Sequence, residues 1–537
     1  MIPLDQKKYN FDLSEVEFNK DGVIDFYWPL DNKKATDLMN SISADLIPYI
    51  TSNKIQYPEL NAVKLLYKWF ICDVLRLFEA TVVVEECRKD NIKPLIPNHY
   101  RRLNALYNSN SLKCIFFLNH SSGPSRGRKI PKFLKKLGKE LIWNGFRFGL
   151  FRKYGSNKND ILAIGPSNLA IKHAKATNKL LRYTDFDEWF GSIPREYLKD
   201  EYKNSIAFEE ILNIIKNAFI ESGYNLSAES INFLSTFLNQ ANNFVNYHLN
   251  KDNDLLDKID KEVWFGCGGS TIWHVIMIEK LRRKKIKVVT HDHGSGNSHH
   301  EQTPAHWVEF MHTDCFITFN EVNERTKNSS YRKDLMFGHK KPDIKSIDSV
   351  LGNTAKVKNS NNLEIHKKIK KIMYVATSFH GEGTRLRPIF HDLTYFDWQI
   401  KLLSHLKNLN LDVIYKPHPE GATKVPDGFA ESFGFKLNTK RFEEINEDVD
   451  AYIIDFFFSS TTPSVLKKNK PVYFIDLGFP ELMPEALKLI KENCYYLRAN
   501  YSSDSRLSID FNKFDEFINN KKHTFNTSFS DIYFENV

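Results

Sequence analysis

No run of about 18 uninterrupted apolar residues occurs in this 537-residue chain, so no membrane-spanning helix is expected. Cysteine is scarce and scattered. Cys72, Cys87, Cys114, Cys267, Cys315 and Cys494 include no CxxC pair, which argues for reduced thiols and against a disulfide framework. The start, MIPLDQKKYNFDL, carries no apolar signal core, so a cytoplasmic chain is expected, with any contact to the inner membrane face peripheral. Charge of one sign is only mildly in excess: 75 Lys and Arg against 66 Asp and Glu, net +9. That suits an anionic substrate or a phosphate-bearing lipid surface. Nucleic acid is not expected as a partner, because no RRM, zinc-finger or helix-turn-helix signature accompanies the charge.

What remains is an ordinary globular composition, 42% hydrophobic and 26% charged, long enough for two or three domains. Residues 1–60 show few helical periods. From Leu60 to Cys87 apolar residues recur at helical spacing, and 112–120 (LKCIFFLNH) reads as a strand. A basic stretch over 126–153, interleaved with Phe, Trp and Leu, is either a membrane-surface element or the charged face of an amphipathic helix. Residues 205–250 read as two helices. EVWFGCG, STIWHVIMIEKLRRK and IKVVTHD then alternate strand, glycine turn, helix and strand, with Ser270 or Thr271 as the helix cap. The polar segment 341–370 reads as a linker. After it come the strands KIMYVAT, LDVIYKPHPEG, AYIIDFFFSS and PVYFIDL. The fold class is therefore α/β, with parallel sheets that bind ligands at their strand ends.

Two loops of the second series carry the strongest chemical signal. Lys416-Pro417-His418-Pro419 follows a strand directly, and its prolines present a cation and an imidazole on a stiff backbone. Ser459-Ser460-Thr461-Thr462 leads into a helix at Pro463, where hydroxyls and orphan N–H groups would cradle an anion. The alternative is a plain turn and a helix cap. In the first series a strand runs into His291-Asp292-His293-Gly294-Ser295-Gly296, which would set Asp292 at the bottom of a cleft. A Rossmann fingerprint counted from Gly266 fails at Thr271, against a nicotinamide cofactor. Six histidines between 291 and 312 raise the question of zinc. Without thiolates or an HExxH motif, a metal-free site is expected.

The succession KPHP, DVDAYIID, Ser-Ser and KKNKPVYFID resembles the nucleotide-binding half of bacterial surface-polymer transferases. These are the capsule Kdo transferases, the polysialyltransferases, and the teichoic-acid glycerol- and ribitol-phosphate transferases. The resemblance covers roughly 262–480 and implies a GT-B fold, two Rossmann-like domains facing a central cleft, with extra helices in the N-terminal half. Residues 1–340 would form the acceptor and catalytic domain, and 371–505 the nucleotide-sugar domain. The tail, 506–537, would cross back or trail off.

By the same resemblance Lys416, His418, Pro419, Ser459, Ser460 and Thr461 contact a cytidine nucleotide. The family often places an acidic residue a few positions after the serines, where Ser464 stands here. The HDHG loop is similar to the acidic-Gly loop of the Kdo and sialic-acid polymer enzymes. It makes Asp292 the nucleophile of a retaining reaction or the general base of an inverting one, with His293 as its partner. Gly268, Gly294, His380, Glu382, Arg385 and Arg387 are further candidates for donor or acceptor contacts, and Phe442-Glu443-Glu444 lies where the enzymes it resembles form a base-recognition loop. The expected function is transfer of a 3-deoxy-ulosonic acid (Kdo, or a sialic, legionaminic or pseudaminic acid) from its CMP donor to a glycan or lipid-linked glycan acceptor, without metal or other cofactor. A CDP-glycerol or CDP-ribitol phosphotransferase and a non-catalytic scaffold of the same shape are the alternatives.

Overall fold

The computed structural model describes residues 7–30, 32–98, 100–108, 160–165, 168–183, 205–250, 259, 262–266, 268–292, 299–300, 306–352, 362–381, 390–419, 425–457, 459, 461–478, 480–502 and 504–534. The expected strand at 112–120 and the basic stretch 126–153 lie outside them.

Two six-stranded sheets, parallel throughout, organise the chain. The first contains β1 (Ile161–Ile164), β2 (Leu181–Tyr183), β3 (Val263–Phe265), β4 (Val288–His291), β5 (Cys315–Thr318) and β6 (Asp343–Ser346), in the order β6-β5-β4-β3-β1-β2. The second contains β7 (Lys371–Val375), β8 (Asp412–Lys416), β9 (Lys436–Leu437), β10 (Ala451–Ile454), β11 (Val472–Asp476) and β12 (Tyr495–Arg498), in the order β9-β8-β7-β10-β11-β12. Strands such as AYII and VYFID are buried at every position, as sheets covered on both faces require. Each sheet reverses direction once, between β1 and β3 in the first and between β7 and β10 in the second. At such a reversal the loops leaving adjacent strands diverge and open a crevice at the carboxyl edge.

The segment expected as a linker is partly sheet. Asp343–Ser346 is the edge strand β6, and Asn362–His366 pairs antiparallel with Lys522–Asn526 of the tail. The N-terminal part is more helical than expected. Helix α1 spans Asn32–Asn53, with Leu38, Met39, Ile42, Leu46, Ile47 and Ile50 buried along one side and Pro48 inside it. Then follow α2 (Leu60–Leu65) and α3 (Tyr67–Lys89), the latter buried almost all round. α4 (Ile206–Glu221) and α5 (Ala228–Asn250) lie between β2 and β3.

The chain crosses between its halves at both ends. Near the N-terminus, Trp28 stacks on His391 with ring centroids 3.5 Å apart, and the Val23 N–H donates to the buried Asp397 at 2.8 Å. His391 caps α8 (Asp392–Asn408) and Asp397 belongs to it, so Val23 and Trp28 pack on the second half, while Lys7–Asn10 pair with Ile92–Leu95 of the first. At the C-terminus, α10 (Ser528–Tyr533) lies against α7 (Glu321–Ser329) of the first half. Asn320 Nδ2 donates to the Ile532 carbonyl at 2.7 Å and Asn323 Nδ2 to that of Tyr533 at 3.4 Å. Among the described residues no helix is long and apolar enough to cross a membrane.

Candidate functional site

The crevice of the second sheet holds a cavity of about 180 Å³. Its walls come from three strand ends: Val375 to Thr377 after β7; Lys416 to Pro419 after β8; and Phe456, Ser459, Thr461 and Thr462 after β10. Arg441, Phe442 and Glu443 close a fourth side. The two loops singled out in the sequence therefore open on one space. They are about forty residues apart in the chain and meet because β7, on which β8 pairs, also pairs with β10. Ser460 lies outside the described residues.

Lys416 is buried, its Nζ donating to the Pro417 carbonyl at 2.8 Å, and burial holds its pKa below the usual lysine range, with Glu443 opposing. His418 is half-buried and Pro419 exposed at the rim. Ser459 Oγ accepts the Thr461 N–H at 3.2 Å, and the Thr462 hydroxyl donates to the Phe457 carbonyl at 3.1 Å. The helix that follows, α9 (Thr462–Leu466), has only five residues, so its dipole adds little. The groups the cavity could offer to an anion are the imidazole of His418, the Ser459 and Thr461 hydroxyls and the Arg441 guanidinium.

Beneath the cavity lies a feature the sequence reading missed. Asp455, at the end of β10, is buried and accepts hydrogen bonds from the Tyr374 hydroxyl, the Tyr395 hydroxyl at 2.9 Å and Trp398 Nε1 at 3.1 Å. Tyr395 Oη in turn accepts the Thr377 N–H at 2.8 Å. One turn earlier in α8, Asp392 accepts the N–H groups of His380 at 2.7 Å and Gly381 at 2.9 Å. The first turns of α8 thus hold the loop after β7 in place. His380 belongs to that pinned loop and is not among the cavity-lining residues, while Glu382, Arg385 and Arg387 lie outside the described residues. A strand running into Asp, with a helix reading YFDW earlier in the same series, was the available signal: a buried carboxylate demands donors.

Burial pushes the Asp455 carboxyl up to about 6, against the pull of its three donors. Between pH 4 and 6, roughly, the folded state keeps a proton that the unfolded state has released, so stability falls as pH rises through that window, by up to ~3 kcal/mol. Asp455→Asn is expected to remove this component. Urea unfolding of both proteins at several pH values should show the advantage of the native residue shrinking from the acidic end to neutrality. A pH-independent difference would mean that Asp455 titrates as in water.

The first half corrects the principal expectation. Asp292 follows β4 but is 0% exposed. One carboxylate oxygen faces Lys327 Nζ at 3.2 Å, the other accepts the Thr318 hydroxyl, and Lys327 also binds Glu309 at 3.0 Å. Burial raises the pKa of Asp292. Lys327 opposes this, but shares its charge with Glu309, which reinforces the rise. Two carboxylates on one ammonium make an interior ion cluster, not a base at the floor of a cleft. His293 and Gly294 lie outside the described residues.

Gly268 is also reassigned. A Cβ there would lie 3.0–3.2 Å from Thr290 and His312, and one on Gly269 2.6 Å from the Val308 carbonyl. These glycines admit neighbouring protein into the strand-to-helix turn, where Thr271 caps α6 (Ile272–Arg283) by accepting the His274 N–H. Among the described histidines of 291–312, His299 and His300 stand together with ring centroids 4.2 Å apart, and others have separate surroundings. The His306 ring accepts the Arg332 N–H at 2.7 Å, for instance, and no group of His, Cys, Asp and Glu among the described residues is arranged to hold a metal.

Seven and eight residues after Asp292, His299 and His300 stand in the cavity's neighbourhood. The His299 carbonyl accepts the Met483 N–H at 3.0 Å, and His300 bridges to Leu482. The His299 ring is enclosed by the edges or faces of Phe457, Phe529, Tyr533 and Phe534, with centroids 5.6–5.9 Å away. Phe457 is two residues before Ser459. The carboxyl edge of the first sheet is thus tied, within eight residues of Asp292, to the loop that forms the cavity of the second. No protein-family model matches this chain, and no curated protein matches it.

Proposed function

We propose that the chain is a cytidine-nucleotide-dependent transferase of GT-B architecture. The donor's phosphate would lie against His418, Ser459 and Thr461, with Arg441 to Glu443 meeting the nucleoside. The group transferred is a 3-deoxy-ulosonic acid of the Kdo or sialic type, carried as its CMP ester to a glycan or lipid-linked glycan at the inner membrane face. One observation carries this: the KPHP and Ser-Thr loops, far apart in sequence, bound the same cavity at the strand-order reversal of the second sheet.

A leaving cytidylate bears negative charge that grows as the glycosidic bond breaks. Fixed donors at the strand ends stabilise it without a resident metal. Asp292, closed inside its ion cluster, is given a positioning role: with Lys327 it anchors the end of β4. A carboxylate serves the carbocation-like centre of sugar transfer, and Asp292 is closed away from the cavity. This favours as second reading a CDP-glycerol or CDP-ribitol phosphotransferase, whose chemistry needs phosphate-binding donors and no carboxylate nucleophile.

Incubation with CMP-Kdo, CMP-sialic acid and CDP-glycerol, each with a glycan acceptor, separates the readings by nucleotide release. CMP released only from an ulosonate donor supports the first, and CMP from CDP-glycerol the second. Tight CMP binding without release leaves a scaffold. Absence of CMP binding ends all three.

A further inference from the structure

A second cleft, of about 940 Å³, opens at the opposite, amino edge of the first sheet. Arg282, Lys285 and Lys287 line it just before β4, and His339, Lys340 and Lys341 just before β6. Three carboxylates also line it, and each has a partner: Asp314 binds Arg282 at 3.3 Å, Asp343 binds Lys345 at 2.6 Å, and Glu279 faces Arg283 at 3.5 Å.

Behind this rim positive charge is crowded. Lys64 of α2 makes no hydrogen bond or ion pair among the described residues. Burial, then Lys54 and Arg282, depress its pKa to about 8, with Glu279 opposing. His312 is 2% exposed, and its Nε2 has no hydrogen-bond partner. Its charged neighbours are Arg282, His339, Lys68 and Lys64, all positive or titrating to positive. His339 Nε2 is likewise buried and unpartnered, and its imidazole is pushed down to about 3 by burial and by Lys64, Arg282 and Lys54.

Like charges held together with little intervening water repel, and buried ring nitrogens without partners cost free energy. A single oxyanion relieves both at once. It neutralises the excess charge and accepts from the lysine ammonium groups and the His339 N–H of the cleft wall.

We propose that this cleft binds a phosphate-class anion, at a site separate from the cavity of the second sheet. The phosphoryl group belongs to a soluble compound or to a phospholipid headgroup, which offer the same chemistry to His339, Lys340 and Lys341 in the cleft wall, with the charge of Lys64 behind them.

The test is a thermal-shift titration with inorganic phosphate against chloride at matched ionic strength. It is run on the full chain and on the Lys64→Met, Lys64→Arg, His339→Gln and His418→Ala variants. A phosphate-specific shift is expected, with affinity about tenfold or more weaker in Lys64→Met and His339→Gln. It should be retained in Lys64→Arg and in His418→Ala. Co-sedimentation with phosphatidylglycerol-containing vesicles, against phosphatidylcholine alone, identifies the source. Sedimentation competed by phosphate indicates the headgroup, and a phosphate shift without sedimentation indicates a soluble compound. A shift abolished by His418→Ala but kept in Lys64→Met, or one reproduced by chloride, overturns the proposal.

Discussion

Lys327→Met is expected to destabilise the protein by about 3–5 kcal/mol, the cost of removing one partner from a buried ion pair. The substitution leaves the carboxylates of Asp292 and Glu309 without their shared ammonium, which both now approach within 3.2 Å. Methionine fills much of the space and keeps contact with the Phe316 ring, over which the ammonium lies at 4.9 Å. The loss is therefore mostly electrostatic, and the pH dependence has a definite sign. Without its cation Asp292 takes up a proton more readily, so the deficit should shrink as pH falls towards 5. Urea midpoints across that range measure it.

Asp292→Asn is milder because Lys327 retains Glu309. About 1–2 kcal/mol is expected, with CMP affinity unchanged. If Asp292→Asn instead leaves stability intact and abolishes turnover, the carboxylate takes part in the chemistry and the cluster must open during it.

The other large effect is expected at the cavity. His418→Ala should weaken cytidylate binding about 10- to 100-fold, the worth of a charge-assisted hydrogen bond to phosphate. Stability should change little, because the ring is only half-buried at the cavity wall. Ser459→Ala removes a smaller donor, and its hydroxyl also accepts the Thr461 N–H, so it disturbs the turn as well. If both groups touch one phosphate, the double variant should lose less than the two single losses added together. Calorimetric titration with CMP measures all three. Additive losses would place the two side chains on separate parts of the ligand.

Local patterns made much of the architecture legible. The strands Val263–Phe265, Val288–His291, Lys371–Val375, Asp412–Lys416 and Ala451–Ile454 were readable as short apolar runs ending at Gly, His, Pro or Ser. The reason is that burial on both faces and the turn that follows are written within a few residues. Helix α1 was hidden because Pro48 and its many polar residues mask a buried side that only packing reveals. β1 and β2 escaped because ILAI and LRY are too short to stand out before their neighbours are known.

At the candidate site the chain alone determined which chemical groups would stand at strand ends: the imidazole of His418, the hydroxyls of Ser459 and Thr461, the carboxylate of Asp292. Which way each one faces was decided by partners distant in sequence. Thr318 and Lys327, arriving on β5 and α7, draw Asp292 into the interior. The reversal between β7 and β10 turns two unrelated loops towards a common cavity. Periodicity and turn chemistry act over a few residues, whereas burial and ion pairing depend on whatever the fold brings alongside.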